Sequence, residues 1–298
     1  MNTPEPGIYY DIDFEDYLAW DAVSNSRMNL ARRSLMHYQA GWKKKPTAAM
    51  RRGSLVHCGS LEPLEFQNKY VVLPQYELSP QNVTLGGKRT TSKVTTYYKG
   101  MVEQFTEASQ GKEIVSQDWF DSTLGLIKAL KNHELAGEWL CNDDPAEVSF
   151  IWQDQETGLY CKGRIDKWQN KQQRFIDLKT CADPIAFGKS IAIYGYHRQA
   201  AFYQEGIAQL AGGELHEPCI VAVETEDPWG IRAAPISEEW LMIGRQEVRS
   251  TLTAIAEANE DGTWPGYDSP ESWLPPSWYE ATAGEEVVLK VGGKTLTV

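Results

Sequence analysis

Tyr160 to Trp168 alternates and is rich in strand formers, and Arg174 to Leu178 reads the same way, the period of a strand with one face buried. The pattern predicts strands at about Ala146–Gln153, Leu159–Trp168 and Arg174–Lys179. The last two flank the polar run Gln169-Asn170-Lys171-Gln172-Gln173, a turn that makes them an antiparallel hairpin. The period then changes to that of a helix. Ser190 to Leu210 places Ile193, Tyr196, Ala200, Tyr203, Ile207 and Leu210 on one stripe. Strands at Cys219–Glu224 and around Ile231–Pro235 follow, then a helix from about Glu238 to Asn259. Upstream, Ser24 to Tyr38 reads as a helix capped by Ser24 or Asn25, and a second helix starts near Ser54 with that serine as its cap. Thr95–Ala108, Ser116–Asn132 and Glu134–Leu140 are helical by periodicity, whereas Leu73 to Lys93 is loop-rich. A βββαβ centre flanked by helices predicts an α/β fold with a mixed central sheet.

This organisation predicts one domain over residues 1–280. It has an acidic, aromatic lead-in at 1–21, a basic helical region at 22–61 and a core at 145–235. Trp264 to Trp278 reads as an extended strap, and residues 281–298 as a terminal hairpin turning at Gly292-Gly293.

The chemistry concentrates on the central hairpin. Asp177 and Lys179 are two residues apart on a strand and share a face, and Asp166 reaches that face from the partner strand. Two carboxylates with waters are a normal way to hold Mg²⁺, and charges on a core strand need a partner or a metal. The predicted reaction is metal-assisted hydrolysis of a phosphodiester, with desolvation and the metal lowering the pKa of Lys179. Gln199 and Tyr203, four apart, share one helical face, with a surface glutamine and a core tyrosine as the plainer alternative. His57 lies on the stripe of Gly53 and Leu61, where a structural histidine is the ordinary case. Glu147, on the preceding strand, is read as an outer-shell acid or equally as a strand-surface carboxylate.

Four segments in order carry a family resemblance: Gly53-Ser54-Leu55-Val56-His57 with Leu61-Glu62-Pro63, Gly163-Arg164-Ile165-Asp166, Ile176-Asp177-Leu178-Lys179-Thr180, and Tyr196-His197-Arg198-Gln199-Ala200-Ala201-Phe202-Tyr203. Together they resemble the exonuclease VIII (RecE) nuclease domain of the PD-(D/E)xK superfamily, near the RecB-type nucleases, over roughly Asp11 to Tyr279. The resemblance implies a restriction-endonuclease-like core. It makes His57, Asp166, Asp177 and the main-chain carbonyl of Leu178 metal ligands, and sets Lys179 beside the attacking water. Gln199 and Tyr203 would position the phosphate and the strand. No literal Pro-Asp precedes Lys179; Asp166 takes the first acid's place. The resemblance also implies 5′→3′ digestion of linear duplex DNA to 3′ overhangs, a trimeric or tetrameric ring, and a single-strand annealing partner. Mg²⁺ is the expected ion, with Mn²⁺ an alternative because one ligand is an imidazole.

A net charge of −12 over 298 residues opposes general nucleic-acid binding, but the charge is uneven. Ala22 to Leu61 has no acid and eight basic residues, and Gly86 to Lys93 is a second acid-free stretch. Arg27, Arg32, Arg33, Lys43, Lys44, Arg51, Arg52, Lys88, Arg89 and Arg164 are the expected DNA contacts. Five scattered cysteines without a Cys-x-x-Cys point to neither a zinc site nor an iron–sulfur cluster. They suit a reducing, cytoplasmic setting, and the resemblance implies a bacterial or phage-encoded protein. No signal peptide or membrane span is expected. The same fold could also serve a structure-specific or nicking endonuclease, or a DNA-binding module without catalysis.

Overall fold

The three predicted runs become consecutive strands of one sheet in the computed structural model of the chain, which describes residues 3–41, 45–74, 96–269, 272, 288–291 and 294–297. In chain order the first elements are β1 (Gly7–Tyr9), α1 (Phe14–Ala19), β2 (Val23–Ser24), α2 (Asn25–Arg33), α3 (Leu35–Gln39), α4 (Ala48–Leu61), α5 (Pro63–Lys69) and β3 (Tyr70–Val72). Then come α6 (Thr96–Ala108), β4 (Glu113–Val115), α7 (Gln117–Asn132), α8 (Glu134–Leu140), β5 (Ala146–Gln153), β6 (Tyr160–Gln169) and β7 (Arg174–Cys181). The remainder is α9 (Phe187–Tyr194), α10 (Tyr196–Leu210), β8 (Glu217–Glu224), β9 (Ile231–Pro235), α11 (Glu238–Asp261), β10 (Val288–Val291) and β11 (Lys294–Thr297).

Among the described residues the main sheet runs β1-β5-β6-β7-β8-β9, with β2 paired to β6. β5, β6 and β7 form an antiparallel meander. β7 and β8 are parallel, which requires the crossover that α9 and α10 supply. β7 therefore lies inside the sheet, and its side chains meet helices on both faces. Ile176 and Leu178 pack with Val56 of α4, Leu126 and Leu130 of α7 and Val221 of β8. Phe175, on the alternate face, packs with Phe202 and Tyr203 of α10 and Val248 of α11. The predicted mixed sheet flanked by helices is the observed architecture.

Several expected boundaries move for identifiable reasons. The expected Ser24–Tyr38 helix is interrupted at Ser34, whose φ of −171° is extended and whose hydroxyl accepts the His37 N–H at 3.2 Å to cap α3. Ser54 does not cap α4. Thr47 does, accepting the Met50 N–H at 3.2 Å, and Ser54 lies mid-helix with its hydroxyl on the Met50 carbonyl. The single helix expected from Ser190 to Leu210 is broken at Gly195, where φ is +71°. The three-residue and two-residue strands β1 to β4 carry too little alternation to be predicted.

The chain divides into two compact units, Met1–Pro265 and Gly266–Val298, so the expected boundary at 280/281 falls inside the second. In that second unit β10 and β11 pair antiparallel, as the hairpin pattern requires; the Gly292-Gly293 turn lies outside the described residues, as does most of the Leu73–Lys93 loop and the strap beyond Ser269. No helix among the described residues is long and apolar enough to cross a membrane.

Candidate active site

The β6–β7 ladder ends at the pair Lys167 and Ile176. The next pair along the two strands is Asp166 and Asp177, so both carboxylates stand where the strands part. The Asp166 carboxylate fills the gap: its Oδ2 accepts the Leu178 N–H at 2.7 Å, satisfying a main-chain donor that the ladder leaves free. From α4, His57 Nδ1 lies 3.4 Å from the same oxygen. Asp177 is held by two contacts of its own, Lys179 Nζ at 2.5 Å and Gln199 Nε2 donating to Oδ1 at 3.0 Å. Gln199 comes from the first turns of α10, so the predicted helical face does reach the fork.

Glu147 sits closer to the centre than an outer-shell acid. One ligand atom each from His57, Glu147 and Asp166 lies within 4.8 Å of the others. It stands between the pairs Ala146–Lys167 and Val148–Ile165 and has a φ of 51°, a left-handed conformation that non-glycine residues adopt at a cost of about 1–3 kcal/mol. Arg164 Nε holds its carboxylate at 2.7 Å.

The electrostatics of this cluster are unbalanced. Burial and the neighbouring Asp177 push Asp166 well above the usual carboxylate range, against the pull of Lys179 and the Leu178 N–H. Burial and Asp166 likewise raise Glu147, against the pull of Arg164. Burial and Lys179 lower His57, which favours the neutral imidazole a metal needs. Burial alone would lower Lys179, but without a metal Asp177 and Asp166 outweigh it, so its ammonium is favoured in the metal-free site. Three carboxylates thus face two cations and a neutral imidazole. The donor set, oxygen-rich with one nitrogen, fits a hard divalent ion, and such an ion would offset the surplus negative charge.

Tyr203 is buried beneath the fork rather than open to it. Its ring meets Phe150 edge to face at 5.4 Å and packs across β6 at Gly163, where an added Cβ would lie 2.3 Å from Phe150 and 2.9 Å from Tyr203. Gly163→Ala is therefore expected to destabilise the protein by about 1–3 kcal/mol and to lower activity by displacing the strand that carries Asp166. Thermal melting and hydrolysis rates check this; wild-type values for both would show that Tyr203 does not position the strand.

The basic candidates separate. Arg164 is enclosed, donating to the Ile12 carbonyl at 2.8 Å and Ser149 Oγ at 2.9 Å besides Glu147, so its guanidinium is committed to acceptors inside the protein. Arg27 lies over the Tyr38 ring and donates to the Tyr38 carbonyl at 3.2 Å. Arg52 ties α4 to Ser122, Thr225 and Glu226. These cations lie against the protein because the acceptors they need are there. Arg32 pairs with Glu247 at 3.3 Å. Arg33 and Arg51 are exposed, and Lys43, Lys44, Lys88 and Arg89 lie outside the described residues. One neighbour of the site escaped the sequence reading: the Tyr196 ring, 5.0 Å from Lys179 Nζ.

The geometry agrees with what the chain resembles. A family model described as a PDDEXK-like domain of unknown function (DUF3799) matches residues 28–271, most of the chain. The chain belongs to this family. Among solved structures, this PDDEXK-like protein is similar to the "Putative exonuclease" from Eubacterium rectale, with 16% identity over 93% of this chain and 100% of that one and a TM-score of 0.57, a likeness of fold. The structure of SSO0001 is also matched, with 16% identity over 76% of this chain and 85% of its own, at a TM-score of 0.28. No curated protein matches. The superfamily expected from the motifs is thus established.

Proposed function

We propose that this PDDEXK-like protein is a divalent-metal-dependent nuclease, and more narrowly a 5′→3′ exonuclease on linear double-stranded DNA that leaves 3′ single strands. The observation that carries the reading is the fork at which Asp166 and Asp177 part, with Lys179 Nζ 2.5 Å from Asp177 and His57 closing the opposite side. His57, Glu147 and Asp166 would hold the ion, with Asp177 and the Leu178 carbonyl at its edge. Such an ion, Mg²⁺ or Mn²⁺, would neutralise charge on the phosphate and lower the pKa of a water.

The protein's own groups account for the rest of the chemistry. The Lys179 ammonium, kept charged by two carboxylates, stabilises the negative charge that grows on the phosphate oxygens as the bond breaks. Gln199 fixes the rotamer of Asp177 through Oδ1, leaving Oδ2 for Lys179. Arg164 locks Glu147 from behind, so the acid stays turned toward His57. Burial of Tyr203 holds its phenol protonated and suits a wedge under β6 rather than a proton carrier.

The narrower reading rests on the RecE-like motif order. It includes assembly as a trimeric or tetrameric ring, work beside a single-strand annealing protein in phage-type recombination, and DNA ends as substrate. A ring would bring the basic Ala22–Leu61 segments of several subunits toward one channel and leave the acidic exterior outside. Digestion of linear duplex labelled separately at its 5′ and 3′ ends, with closed circular DNA alongside, tests it. Loss from 5′ ends with the circle intact is expected. Cutting of the circle would make the protein an endonuclease.

A further inference from the structure

The chain's turn at Gly195 leaves apolar and aromatic side chains in solvent beside the catalytic lysine. Gly195 has a φ of +71°, and a Cβ there would meet the Arg198 guanidinium at 1.9 Å, so the break between α9 and α10 is built into the sequence. Ile193, which falls on the apolar stripe of a continuous helix, is instead 73% exposed; Tyr194 is 59% exposed and Ile185 81% exposed. The rings form a short series. Phe187 stacks on Tyr196 at 5.7 Å and 13°, Tyr194 lies 5.7 Å from Tyr196, and Tyr196 faces Lys179 Nζ at 5.0 Å. Tyr196 thus joins the exposed face directly to the group that meets the scissile phosphate.

We infer that Tyr194, backed by Tyr196 and next to the exposed Ile193, is a stacking ledge for an unpaired nucleobase of the strand being cut, next to the phosphate at Lys179. This deepens the nuclease reading and rests on it. The continuity with Lys179 selects the occupant: a strand whose phosphate lies at Nζ has a neighbouring base within reach of these rings. An aromatic face accepts any base, because every base has a π-face, so the ledge grips a strand without reading its sequence. Phe187 and Tyr196, partly or wholly enclosed, hold the ledge at a fixed height.

The test is binding of short single-stranded DNA in Ca²⁺, comparing an intact strand with strands that carry one abasic site at successive positions. The wild type should disfavour an abasic site at one position by roughly 5- to 100-fold. Tyr194→Ala should erase that preference, and Tyr194→Phe should keep it; both should melt with the wild type, since the ring is largely in solvent. Equal binding of intact and abasic strands by the wild type would overturn the ledge, as would a preference that survives in Tyr194→Ala. A change of oligomeric mass in Tyr194→Ala with the preference intact would make this face a contact between copies and overturn it too. Failure of the wild type to bind or cleave any DNA would overturn the nuclease reading and the ledge together, whereas failure of the abasic comparison in an active nuclease overturns the ledge alone.

Discussion

Lys179→Met is expected to slow phosphodiester hydrolysis by at least about 10²–10³-fold, the effect of removing a pre-placed electrostatic group from the transition state. The variant should also lose stability. Removing one member of a buried ion pair leaves the other charge without compensation, at about 3–5 kcal/mol when fully enclosed. The Lys179 and Asp177 side chains are 17% and 12% exposed, so solvent screening should reduce this to roughly 1–3 kcal/mol. Lost activity could then be blamed on lost structure. The double variant Asp177→Asn with Lys179→Met separates the two. An asparagine still accepts the Gln199 amide through its Oδ1, and the Asp177 charge that Lys179 offset is removed together with it. It should melt close to the wild type and remain as inactive as the single variant. Measuring the melting temperature and hydrolysis rate of all three proteins checks this; a stable double variant with wild-type rate would remove both residues from the chemistry.

The second large effect concerns metal and stability together. Asp166 and Glu147 are both raised above the usual carboxylate range. A carboxylate whose pKa is higher folded than unfolded lowers stability as pH rises from the ordinary carboxylate range toward the folded value, and the cost is fully present above it. At neutral pH the metal-free site therefore opposes folding, and a bound cation relieves it. Mg²⁺ at a hundred times its dissociation constant should stabilise the wild type by about 2.7 kcal/mol, a rise in melting temperature of about 5 °C. Asp166→Asn keeps an oxygen for the Leu178 N–H but removes the charge. Without metal it should melt at or above the wild type, and Mg²⁺ should no longer shift it. Calorimetry with and without Mg²⁺ reads both. An undiminished Mg²⁺ shift in the variant would take Asp166 out of the metal site.

Much of this site was legible because strand and helix periods place residues on faces without knowledge of the fold. Asp177 and Lys179 on one face of a core strand, and Gln199 and Tyr203 on one face of a helix, follow from periods of 2 and 3.6. Capping chemistry was legible at Ser24, whose hydroxyl accepts the Arg27 N–H at 3.4 Å, but not at Ser54, because Thr47 offers the same chemistry one and a half to two turns earlier. The place of Glu147 beside His57 and Asp166 was not legible because it depends on the β5–β6 register and on a left-handed backbone angle, neither of which leaves a local pattern. The internal contacts of Arg164, Arg27 and Arg52 were not legible, because charge sign is visible in sequence and the acceptors that bind them are not. Arg52 meets Thr225 and Glu226 across a separation of more than half the chain. The fork between β6 and β7 is a tertiary feature, and with it the convergence of His57, Glu147 and Asp166.

Incubation of labelled linear duplex DNA with the wild-type protein in Mg²⁺ and in EDTA is the most direct test of the central claim. Release of labelled nucleotides is expected in Mg²⁺ and none in EDTA. Intact DNA in both Mg²⁺ and Mn²⁺ would contradict it, leaving a PD-(D/E)xK fold that does not cut.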